Sequence, residues 1–75
     1  MTLVDVLFRY GAPPTENAMS AYGQLSNVYG IRRLRLDEPE RTVRVEFDAT
    51  RLTEAKVEGL LRAAGFDITE KLQLM

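Results

Sequence analysis

The sequence contains no cysteine and no histidine. Without thiols it builds no disulfide framework and performs no thiol redox chemistry. Without thiolate or imidazole it lacks the ligands that hold soft ions such as Cu(I), and of the usual zinc ligands it keeps only carboxylates. Its only sulfurs are the thioethers of Met1, Met19 and Met75. A surplus of charge is missing too: the formal net charge is −1, which gives no global attraction to nucleic acid or to anionic membrane surfaces. No apolar run approaches the roughly 18 residues of a membrane span. The opening Met1-Thr2-Leu3-Val4-Asp5 has no basic region and carries an acid within its apolar stretch, which argues against a secretory leader. A soluble cytoplasmic protein is the expectation.

What is present is enough for one small domain spanning residues 1–75. The hydrophobic fraction of 45% and charged fraction of 28% are ordinary for a folded protein. A chain of this length buries only about 60–65% of its unfolded surface, so its core must be used efficiently.

Thr2 to Phe8 alternates apolar and mixed positions with the period of a strand, Val4, Val6 and Phe8 facing inward. Tyr10-Gly11-Ala12-Pro13-Pro14 is expected to break it. A helix is expected from about Thr15, a suitable N-cap, to Tyr29. Its apolar face would be Ala18, Ala21, Tyr22, Leu25, Val28 and Tyr29, with Gly30 as left-handed C-cap. Gly23 within it costs about 1 kcal/mol relative to alanine, and a close approach of helix to sheet would explain its presence. Ile31 to Asp37 is the second strand, with Arg32, Leu34 and Leu36 on one face and Arg33 and Arg35 on the other. Glu38-Pro39-Glu40 turns the chain into the third strand, Thr42 to Asp48, whose Val43, Val45 and Phe47 face inward. A second helix from Glu54 to Ala64 is capped by Thr53 and closed by Gly65. Leu52 and Val57 have the spacing of a hydrophobic staple across that cap. Ile68, Leu72 and Leu74 suggest a last strand, with Glu70 awkwardly on its buried face.

The two halves echo each other as strand–helix–strand units, and right-handed crossovers place both helices on the same side of the sheet. The expected fold is therefore α+β, a ferredoxin-like βαββαβ sandwich with a four-stranded antiparallel sheet and two helices on one face.

On several residues the chain resembles heavy-metal-associated domains, the fold of copper chaperones and of the N-terminal modules of metal-transporting ATPases. These are Gly30-Ile31 after the first helix, the strand end Val43-x-Val45-x-Phe47-Asp48, Leu52-Thr53 opening the second helix, and Ala63-Ala64-Gly65-Phe66 closing it. The resemblance covers nearly the whole chain, and all its features pack or cap, so it bears on fold more than on activity. It implies a Met-x-Cys-x-x-Cys loop between the first strand and first helix. The matching segment here is Gly11-Ala12-Pro13-Pro14-Thr15-Glu16-Asn17. Counting back from Gly30 sets Pro14 and Asn17 at the cysteine positions. With Phe8 as the last inward strand residue, the loop would be about one residue longer than in the family. No thiol is available in either register. Glu16 alone is a single hard ligand, Met19 is expected to pack rather than bind, and Asp37, Glu38 and Glu40 read as a solvated turn rather than the converging oxygens of a Ca²⁺ or Mg²⁺ site. No cofactor is expected.

Catalysis has no recognisable nucleophile–base pair. Arg9 precedes the first loop as the arginine of an acylphosphatase does, yet Ala12-Pro13-Pro14 offers few backbone donors for a phosphate. RNA-recognition motifs share the topology but stack bases on sheet aromatics. The open face expected here carries Leu3, Asp5, Leu7, Arg33, Arg35, Arg44, Glu46 and Lys71, with no aromatic residue and with acids set among the arginines. Leu3 and Leu7, apolar yet directed away from the helices, together with Arg33, Arg35 and Arg44 form the candidate interaction face. The expectation is a non-enzymatic module binding a protein partner or itself, without nucleic acid, membrane or metal. Weak or accessory metal-ion binding and a dimeric ligand-sensing role are the alternatives.

Overall fold

The computed structural model describes residues 2–72. The elements run β1 (Leu3–Tyr10), α1 (Glu16–Leu25), β2 (Ile31–Asp37), β3 (Thr42–Asp48), α2 (Glu54–Ala64) and β4 (Ile68–Leu72). The four strands form one antiparallel sheet in the order β2-β3-β1-β4. This is the ferredoxin-like arrangement. Among the described residues no helix is long and apolar enough to cross a membrane.

The core lies between sheet and helices. Val6, Phe8 and Tyr10 of β1 and Val43, Val45 and Phe47 of β3 meet Leu25 of α1, Val57 and Leu61 of α2, and Leu52, Phe66 and Ile68. β1 and β3 alternate as expected, with one extension: β1 continues to Tyr10, which is buried rather than a strand breaker. Its ring meets Phe66 edge-on at 5.6 Å, and that contact holds the chain in register two residues past Phe8. Five residues, 11–15, therefore link β1 to α1, and Phe8 is not the last inward residue of the strand.

The first helix is shorter than its apolar spacing suggests. It ends at Leu25, with Ser26 as C-cap. Beyond it the amides of Asn27, Val28 and Ile31 donate to carbonyls three residues back, those of Gln24, Leu25 and Val28. These tighter turns rotate Tyr29 out of the apolar stripe, leaving it 71% exposed beneath the guanidinium of Arg51, 4.2 Å from the ring centroid. Gly30 is left-handed (φ 105°) but closes this turn rather than the helix; its carbonyl accepts from Asp48 N at 2.7 Å, and a Cβ would collide with Leu52. Gly23 does not approach the sheet, for nothing lies within 4 Å of where its Cβ would stand.

Two bulges reset the strand faces. Ile31 pairs with Phe47 and Arg33 with Glu46, so Arg32 is the extra residue and is exposed instead of sharing the face of Leu34 and Leu36. In β4, Ile68 pairs with Tyr10 but Glu70 with Arg9. Thr69 is the extra residue there, donating its hydroxyl to the Arg9 carbonyl. The bulge resolves the awkward Glu70: Ile68 is buried, whereas Glu70 turns to the open face and pairs with Arg9 at 2.7 Å. It also moves Lys71 off the open face. Lys71 stands opposite the buried Phe8 and reaches the Glu54 carboxylate of α2. Leu74 lies outside the described residues.

The second helix is as expected. Thr53 accepts from Lys56 N at 3.1 Å, the staple residues Leu52 and Val57 are both buried, and Gly65 (φ 110°) caps the far end against Ala18 of α1.

Because Gly23 and Gly59 sit within helices with open space around them, Gly23→Ala and Gly59→Ala are each expected to stabilise the fold by about 0.5–1 kcal/mol. The corresponding rise in Tm is roughly 2–8 °C per substitution, read by thermal melting. Gly65→Ala, at a positive φ and 3.2 Å from the Ala18 Cβ, is expected to lower it.

Candidate interaction surface

The face of the sheet opposite the helices is a three-row grid fixed by strand register. The top row is Arg33–Glu46–Asp5, the middle row Arg35–Arg44–Leu7–Leu72, and the bottom row Asp37–Thr42–Arg9–Glu70. Leu3 lies one step above Asp5 on β1 and is 42% exposed. All five residues of the expected interaction face thus share one surface. Leu72 joins Leu7 there, a neighbour that the sequence alone did not assign to this face because it hinges on the Thr69 bulge.

Arg44 donates to Asp5 at 3.0 Å across the β3–β1 pair. Such a partly exposed pair contributes about 0.2–1 kcal/mol. Among the described residues Arg33, Arg35 and Glu46 are in no ion pair. A hollow of about 230 Å³ lies over the top rows between Asp5, Arg33, Arg35, Arg44 and Glu46. A second, of about 390 Å³, extends over the lower rows, where Leu7 and Leu72 form its apolar floor beside Arg35 and Arg9. No aromatic residue lines either hollow.

The loop between β1 and α1 is organised differently. The amides of Gly11 and Ala12 donate to the Asp67 carbonyl and carboxylate at 2.9 and 3.1 Å, and the Gly11 carbonyl accepts from Arg41 at 2.7 Å. A Cβ on Gly11 would stand 2.8 Å from that carboxylate, so a larger residue there would displace it. Thr15 accepts from Ala18 N and caps α1, with Glu16 in its first turn. Pro13 and Pro14 form a hollow with Tyr10, Met19, Glu38 and Arg41, and Met19 packs on the core as expected. Burial raises the Tyr10 hydroxyl above its ordinary pKa, and nearby Glu38 adds to that, against the opposing Arg41. Asn17 is exposed on the first turn of α1, and Asp37, Glu38 and Glu40 are exposed around the hairpin. Among the described residues no three carboxylates gather where one ion could be held.

No family model matches the chain, and no curated protein does. The surface chemistry is therefore the ground for any assignment of function.

The most constrained acid is Asp48, at the end of β3. It is 3% exposed and accepts from Thr50 through both hydroxyl (2.6 Å) and amide (3.0 Å), with Arg51 at 3.4 Å. The Thr50 bonds, above all its hydroxyl, hold the carboxyl below its usual pKa, and Arg51 adds to this against the opposing cost of burial. A depressed folded-state value means that this stabilisation is present above the unfolded pKa, about 3.9. It is lost as pH falls through the folded value. Asp48→Asn is accordingly expected to lower Tm at pH 7, with the gap from the parent chain shrinking below about pH 4. Equal gaps at pH 3 and pH 7 in thermal melts would refute the assignment.

Proposed function

We propose that this chain is a non-catalytic protein-interaction module that works through the open face of its sheet, on a scaffold of the heavy-metal-associated type without the thiolate site. One observation carries the reading. Leu7 and Leu72 lie side by side on the face opposite the helices, flanked by Arg35 and Arg44, with the exposed Leu3 above. Apolar side chains on an open sheet face with arginine beside them, Arg44 across the strand pair and Arg9 along β1, are a feature of protein contact patches. The absence of aromatic side chains from the hollows there speaks against base stacking as the mode of binding.

The loop supports a metal-independent role. The amides of Gly11 and Ala12 are committed to Asp67 and the Gly11 carbonyl to Arg41, and the loop's side chains offer no soft ligand. The same bonds leave Gly11 and Ala12 unable to cradle a phosphate, while Arg9 is held by Glu70. Micromolar Cu(I), Zn²⁺ or Ni²⁺ is expected to leave the amide resonances of residues 10–19 in place. Shifts clustered there would favour a metal-ion carrier instead.

The interaction itself is tested by placing a photo-crosslinking amino acid at Leu7 and, as control, at the exposed Ala63 of α2. In the native cell the Leu7 position is expected to give an adduct of one defined mass, and the Ala63 position none. Indistinguishable products from the two sites, or none from Leu7, would sink the proposal.

A further inference from the structure

The open face is self-complementary. Resting on that face as the working surface, we propose that its partner is a second copy of this chain, packed face to face about a two-fold axis that runs along the middle row, across the strands. Under this operation each top-row position lies over the bottom-row position of the same strand in the second copy. Arg33 then faces Asp37 of the second copy, a pair of charges in no other ion pair among the described residues. Asp5, which keeps its bond to Arg44, faces the Arg9 that Glu70 holds. Each contact occurs twice because the interface is isologous. Leu7 and Leu72 meet their own counterparts, so this apolar strip is covered by itself.

The charge pattern selects this axis. A two-fold running parallel to the strands, between β3 and β1, would lay Glu46 over Asp5 of the second copy and oppose carboxylates. Along the middle row the only like charges that meet are Arg44 and Arg35. Arg44 is already neutralised by Asp5 at 3.0 Å. Arg35 lies on the outer strand β2, open to water, with Glu46, in no ion pair among the described residues, one strand and one row away, a diagonal of about 8 Å that an arginine spans. Two twisted sheets packed face to face keep their strands within about 30° of alignment, a rotation that displaces the outer columns by less than one row.

The size of the grid sets the strength. Four strands about 4.8 Å apart and three rows about 7 Å apart give a footprint of about 400 Å² a side with side chains included. A standard stable interface covers about 800 Å² a side. The dimer is therefore weak and concentration-dependent, with a long-range electrostatic share.

Sedimentation equilibrium of the full chain from micromolar to millimolar concentration tests it, alongside amide shifts followed over the same range. The expected result is a monomer–dimer equilibrium with concentration-dependent shifts confined to residues 5–9, 33–37, 42–46 and 70–72. R33D and D37R, both on exposed positions of β2, each oppose like charges at two symmetric contacts and are expected to weaken association about tenfold. The double variant R33D/D37R restores opposite charges across the axis, and its dimerisation constant is expected to return to within about threefold of the parent. Circular dichroism confirms that each variant is folded. A double variant no tighter than either single overturns the axis, and a parent chain monomeric at millimolar concentration overturns self-association. In the latter case a defined Leu7 crosslink to a different protein would leave the interaction module standing without its self-pairing, whereas no crosslink would remove both.

Discussion

Both helices cover the same side of the sheet, and nearly everything else follows from that asymmetry. The two strand–helix–strand halves cross over in the same right-handed sense, so Leu25, Val57 and Leu61 all fall on Val6, Phe8, Val43, Val45 and Phe47. The opposite face is left to water. Residues of one strand that differ by a single position in sequence have opposite fates: Phe8 is fully buried, whereas Leu7 lies in an open hollow. Apolar side chains on the uncovered side are not needed by the core, and that makes Leu3, Leu7 and Leu72 informative about binding.

The architecture was legible in the sequence because strand alternation and helix caps are local. Val43, Val45 and Phe47, the Thr53 cap with its Leu52–Val57 staple, and the Gly65 terminus needed no knowledge of the rest of the chain. What the sequence concealed depends on contacts distant along it. Tyr10 reads as the start of a loop, beside glycine and two prolines, yet Phe66 holds it in the strand. Arg32 and Thr69 are displaced by bulges that periodicity cannot register, since a bulge is a mismatch between two strands and not a property of one. From that single slip at Thr69 come the outward turn of Glu70, the inward turn of Lys71 and the pairing of Leu72 with Leu7.

The candidate face was legible in the same degree. Leu3, Leu7, Arg33, Arg35 and Arg44 all fall on the open side, as strand alternation indicates, but only the register shows their order. It sets Arg33 and Asp37 at opposite ends of one strand with Arg35 between, and Asp5 and Arg9 likewise about Leu7. Composition records these charges as a near-balanced sum. Their placement sets opposite charge orders on the two strands, plus to minus along β2 and minus to plus along β1, and that order is what the self-pairing proposed above would use.

The outer strand β2 carries a further consequence. A bare strand edge is a template on which other chains can polymerise. Here that margin holds Arg32, Arg33 and Arg35 within four residues, all exposed, and the bulge at Arg32 breaks its hydrogen-bonding rhythm where an incoming strand would begin to zip. The margin thus repels backbone-to-backbone growth through charge and misfit together. In this way the edge guards the side of the sheet next to the surface on which Leu3 is exposed.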